Sequence, residues 1–67
     1  MVTKVKMLRL ERELKGFDVA MATGVHPSVI SHVENRRAKA SGNVRKTLSN
    51  FYQTEERNLF DDEFFAI

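Results

Sequence analysis

Apolar residues along this chain recur at three- and four-residue spacing and never alternate strictly, a pattern that predicts helices and no strands. The first helix is predicted over about residues 3–13, with Val5 and Leu8 on one side. A second runs over about 16–23, with Val19, Ala20 and Thr23 as its inner or small positions, and Gly24 marks a tight turn after it. The third, over about 27–35, opens on Pro27, whose missing N–H costs nothing in a first helical turn. A fourth begins near Asn43, the expected N-cap, and carries Val44, Leu48 and Phe51 at i, i+4 and i+7. A last short helix over 55–61 takes Thr54 as its cap, and Glu63-Phe64-Phe65-Ala66-Ile67 is an apolar end for docking or partner binding.

The expected fold is therefore all-α, a compact four- to five-helix bundle around a central helix-turn-helix. Its expected parts are a helix-turn-helix body over 1–53 and a short acidic, aromatic helix and tail over 54–67.

On a helical wheel starting at Pro27, Ser31, Asn35, Ser28 and His32 fall at roughly 40°, 80°, 100° and 140°, and Val29, Val33 and Ile30 at roughly 200° to 300°. An aliphatic inner face is ordinary for a packed helix. The outer face holds Ser, Ser, His and Asn where mere solubility would favour Lys and Glu. Short side chains that donate and accept can approach base edges in the major groove of DNA, and Val29 or Pro27 suits a thymine methyl. A helix-turn-helix presents its second helix to DNA in this way.

Charge sharpens that expectation. Residues 1–53 carry ten Lys or Arg against four acids, while 54–67 carry only Arg57 against five acids, so a basic body precedes an acidic end. Arg36, Arg37 and Lys39 follow the third helix directly, and Arg45 and Lys46 open the fourth. They are the expected DNA phosphate contacts, joined by the N–H groups that start helices two and four.

The stretches Val5-x-x-Leu8-Arg9-x-x-x-x-Leu14, Val19-Ala20-x-x-x-Gly24-Val25 and Ser28-x-Ile30-Ser31-x-Val33-Glu34-Asn35 resemble the lambda-repressor and Cro (Xre-type) helix-turn-helix family. The likeness continues more weakly through Val44, Leu48, Phe51 and Leu59-Phe60, and covers about residues 4–60. The resemblance implies a regulator, commonly a repressor of phage or mobile-element type, binding double-stranded DNA as a homodimer. It implies base contacts from Pro27, Ser28, Ser31 and His32, DNA phosphate contacts from Asn35 and the loop after it, and a structural ion pair between Arg9 and Glu34. The chain departs from the family at Gly16, where Gln often clamps a phosphate, and at Pro27, where a polar base reader is usual. It departs again at Arg36, where Gly usually ends the helix, leaving Asn35 to take the left-handed conformation.

Phe17 and Met21 lie one turn apart on a side this family leaves polar, and Met7, Leu10 and Leu14 lie away from the Val5–Leu8 stripe. With Phe60, Phe64, Phe65 and Ile67 they exceed what a four-helix core needs. A tail folded back over them, a dimer interface, or a site for another protein would each account for the surplus. The last makes the alternative function a protein-binding module, an anti-repressor or inhibitor acting through Phe17, Met21, Phe64 and Phe65.

Other chemistries find little support. A Ser28–His32 dyad lacks a third residue to orient the imidazole, and His26 and His32 lie on different sides of the wheel, so neither an enzyme nor a metal or other cofactor is expected. No small-molecule substrate is expected either. The chain has no cysteine, no signal-peptide pattern and no apolar run near the roughly 20 residues of a membrane span, which leads to the expectation of a cytoplasmic protein without a membrane partner.

Overall fold

The computed structural model describes residues 2–67, which form five helices: α1 (Lys4–Glu11), α2 (Gly16–Thr23), α3 (Pro27–Glu34), α4 (Gly42–Tyr52) and α5 (Glu56–Leu59). Among the described residues there are no strands, only an isolated antiparallel bridge between Phe60 and Ala66. The fold is the expected small all-α bundle.

Helices α1 to α4 each start on a local signal. The Thr3 hydroxyl accepts from Lys6 N at 3.3 Å and opens α1. At α2 the Lys15 backbone N–H donates to Asp18 Oδ2 at 2.8 Å. His26 caps α3, its Nδ1 accepting from Ser28 N at 3.1 Å ahead of Pro27 in the first turn.

The helix ends differ from the sequence expectations. Glu13 is left-handed with φ 56°, so α1 stops at Glu11. Helix α4 starts at Gly42, next to the expected Asn43, but Ser41 and not Asn43 is its N-cap, accepting from Val44 N at 3.2 Å, and Asn43 sits inside the first turn. Thr54 does not cap α5, because its hydroxyl donates to the Tyr52 carbonyl at 3.1 Å and Glu55 holds the cap position. Helix α5 ends at Leu59 because Phe60 turns extended, with φ −133° and ψ 146°, to pair with Ala66.

The core is built from one or two positions per turn of every helix. Val5, Val19, Ile30, Val33, Leu48, Tyr52 and Leu59 are fully buried and come from all five. At about 2 kcal/mol for each buried aliphatic side chain, Ile30 and Val33 alone hold α3 by about 4 kcal/mol.

Residues 54–67 belong to this same core, through Leu59, Phe60 and Ala66. The chain end is tied down by backbone bonds, Lys4 N donating to the Ile67 carbonyl at 2.6 Å and Ile67 N to the Leu59 carbonyl at 3.0 Å. The tail does fold back, but toward the starts of α1 and α4. It leaves Met7, Leu10, Phe17 and Met21 exposed, contrary to the expectation that a folded-back tail would cover them. No helix among the described residues is long and apolar enough to cross a membrane.

Candidate nucleic-acid interface

Three residues join α2 to α3. Gly24, at φ 77°, takes the left-handed conformation that ends α2 and donates its N–H to the Ala20 carbonyl. Thr23 stiffens the turn, its hydroxyl donating to the Val19 carbonyl at 2.7 Å and accepting from Val25 N at 3.2 Å. Helix α3 then packs chiefly on α2 and turns Ile30 and Val33 inward. Pro27, Ser28, Ser31 and His32 all point to solvent, so the four expected base readers share one accessible surface.

The far end of α3 is clamped from helix α1. Arg9 Nε meets Glu34 Oε2 at 2.8 Å and Arg9 Nη2 meets Glu34 Oε1 at 3.0 Å, a two-bond fork between groups 13% and 4% exposed. Arg9 Nη1 also donates to the Leu14 carbonyl at 2.9 Å. The hydrogen bond to Glu34 is the main reason the Arg9 guanidinium holds its proton even more firmly than usual. The Thr3 hydroxyl adds a second clamp, donating to the Glu34 carbonyl at 2.8 Å. Below the fork lies Tyr52, whose buried hydroxyl has no hydrogen-bond partner among the described residues. Burial, reinforced by the Glu34 charge, pushes its pKa up to about 12.

Arg36, not Asn35, is the left-handed residue after α3, with φ 57° against φ −98° and ψ 12° at Asn35. The Asn35 side-chain amide donates to the Ser31 carbonyl at 2.9 Å, which holds Asn35 near helical geometry and passes the reversal to its neighbour. Arg36 N then reaches the Val33 carbonyl and Arg37 N the His32 carbonyl.

The basic residues divide into two groups. The Arg37 and Lys46 side chains are exposed and make no hydrogen bond or ion pair among the described residues. Arg45, expected to contact phosphate, is instead held within the chain: Nε meets Glu56 Oε1 at 3.2 Å, Nη1 donates to the Ala40 carbonyl at 2.6 Å, and the guanidinium lies 3.8 Å from the Phe64 ring centre. Arg36 reaches Asp61 at 3.4 Å, and Arg36 and Lys39 both approach the Phe65 ring. Phe64 is exposed and Phe65 half-buried, and both face these cations instead of joining Phe17 and Met21 in a patch on α2. The expected anion sites at the starts of α2 and α4 already receive Asp18 and Ser41 oxygens.

Sequence reasoning missed the Thr3 clamp, the His26 cap and the cation contacts of the tail. The signal for the last was present in the sorting of charge between residues 1–53 and 54–67. His26, not His32, is the partner of Ser28, with Nδ1 and Oγ 2.8 Å apart on an exposed helix start. Among the described residues, no group of three or more His, Cys, Asp or Glu is placed to hold a metal ion. In comparisons with known proteins, no family model, curated protein or solved structure matches this chain.

Proposed function

We propose that the chain is a sequence-specific double-stranded DNA-binding regulator of the lambda-repressor and Cro type, a repressor that reads the major groove with α3. The observation that carries this reading is the outward face of α3. It offers Ser28, Ser31 and His32 to solvent, free of long charged side chains, on a helix held at one end by the Gly24 turn and at the other by the Arg9–Glu34 fork. A rigid helix with short donor–acceptor groups suits base-edge contact, and Arg37 and Lys46 supply free charge for the backbone. Such a domain acts as a homodimer on a pseudo-palindrome, with half-sites about 34–36 Å apart, and represses by occupying a promoter.

The test is selection from a random duplex pool at about 100 mM salt, where non-specific attraction is already weakened. A pseudo-palindromic site with half-sites one turn apart is expected, and an unenriched pool would refute the reading. Substituting Arg37→Ala with Lys46→Ala is expected to flatten the salt dependence by about 1.8 in log–log slope per protomer.

A second reading, a protein-binding module on the same scaffold, is favoured by Phe17 and Met21, which are 63% and 71% exposed one turn apart on α2. In that case Phe17→Ser abolishes function while the Arg37 and Lys46 changes leave it intact.

A further inference from the structure

We propose that Glu56 and residues 61–65 together are a built-in substitute for DNA phosphate, seated on the basic edge that follows α3 and displaced when a duplex backbone takes that edge. The inference rests on the DNA-binding reading and adds a competitor for the same surface.

The acidic, aromatic segment reaches that edge by several contacts. Asp61 and Glu56 meet Arg36 and Arg45, the guanidinium of Arg45 stacks on Phe64, and Lys39 lies 5.8 Å from the Phe65 ring centre. One backbone bond pins the segment to the loop itself, from Ala40 N to the Phe64 carbonyl at 2.9 Å. Its shape is set internally, Asp61 Oδ1 accepting from Glu63 N at 2.9 Å and Phe65 N at 3.0 Å.

Packing explains the two ends of the tail and not its middle. Leu59, Phe60 and Ala66 are buried in the core, whereas Phe64 remains 45% exposed in a left-handed conformation with φ 71°. A side chain that gives the core so little, in a backbone region costly for phenylalanine, is accounted for by what it touches, which is Arg45. Three of the five cations expected to meet phosphate, Arg36, Lys39 and Arg45, contact this segment. The Arg36–Asp61 and Arg45–Glu56 pairs are partly exposed and individually weak, so phosphate oxygens can replace those carboxylates, whereas the backbone bond from the buried Ala40 to Phe64 is the contact that must open.

The consequence is a lowered affinity for non-specific duplex. Duplex binding must first break the internal ion pairs, and the freed carboxylates take up cations, so the net release of counterions is smaller. A duplex that also satisfies α3 recovers the difference through base contacts.

The experiment uses the full chain and a mixed-sequence duplex of about 20 base pairs at low salt, where phosphate contacts dominate binding. Binding is followed by the NMR signals of the Ala40 amide and the Arg45 Nε–H, and by affinity. Both signals are expected to move in proportion to bound duplex, with Ala40 losing its protection from hydrogen exchange. Glu56→Gln with Asp61→Asn retains side-chain shape and the Asp61 Oδ1 acceptor while removing two charges that touch arginine. Asp62→Asn with Glu63→Gln removes the same charge where neither side chain meets an arginine. The first pair is expected to bind duplex about fivefold more tightly than the second, as two weak ion pairs would give. Phe64→Ala, which frees Arg45 without a charge change, is expected to tighten binding as well. Duplex binding that leaves Ala40 and Arg45 unmoved, or equal affinity of the two charge pairs, would overturn the substitution and leave the DNA reading standing. Absence of duplex binding by every variant would overturn the DNA reading itself, and this inference with it.

Discussion

Removing the Glu34 carboxylate should cost this domain much of its stability, and the size of the loss follows from the geometry of the fork. Glu34→Ala leaves the Arg9 guanidinium, 13% exposed, without its two short bonds at 2.8 and 3.0 Å. Breaking a buried pair by deleting one partner costs about 3–5 kcal/mol, because the surviving charge stays desolvated. The remaining bond from Arg9 to the Leu14 carbonyl and the partial access to water place the expected loss at the lower end, about 3 kcal/mol. A chain of 67 residues has about 3–10 kcal/mol in total, so the variant sits close to its unfolding threshold. In thermal melts the midpoint is expected to fall by on the order of 15 °C, and urea titration gives the free energy directly. The companion is Arg9→Met with Glu34→Leu, which removes both charges at similar volume and is expected within about 1 kcal/mol of the parent. The difference between the double change and the sum of the single changes isolates the coupling. A Glu34→Ala loss below about 1 kcal/mol, additive with that of Arg9→Met, would refute the argument that the fork clamps α3.

Two further predictions concern stability. Tyr52 is the single tyrosine of a chain without tryptophan, so near-ultraviolet absorbance reports its ionisation alone. Its folded pKa stands at about 12 against 10.0 for the free side chain, so the stability it contributes is complete below pH 10 and is lost as pH rises toward 12. The loss amounts to a few kcal/mol, and native protein ionising near pH 10 would contradict it. Tyr52→Phe is expected to abolish this alkaline dependence and to leave neutral-pH stability equal or up to about 1 kcal/mol higher, since the hydroxyl has no partner among the described residues. His26→Ala removes the acceptor that caps α3 and is expected to lower stability by about 1 kcal/mol with helical content retained; an unchanged melt would show that the cap contributes nothing.

How much of this was legible in the sequence depended on the range of each interaction. The limits of α2 were read correctly because Gly24 acts locally, and the start of α3 because Pro27 does. The inward Ile30 and Val33 and the outward Ser28, Ser31 and His32 followed from helical period alone. Misreadings arose where two residues competed for one role. Ser41 displaced Asn43 as the cap of α4, and Arg36 took the left-handed position because the Asn35 amide bonds back to Ser31. The seating of the tail was hidden for a different reason. Arg36 and Asp61 are 25 residues apart, and no local pattern says which cation an acidic segment will choose.

The left-handed backbone at Glu13, Arg36, Gln53 and Phe64 bears on where the fold yields first. A non-glycine residue there costs about 1 kcal/mol, so four of them withhold an amount comparable to the whole stability of a small domain. These four sites are expected to open first, which weak hydrogen-exchange protection there would report. Glycine at Glu13 or Gln53 is expected to raise stability by up to about 1 kcal/mol, whereas at Arg36 or Phe64 it would give up the contact to Asp61 or Arg45.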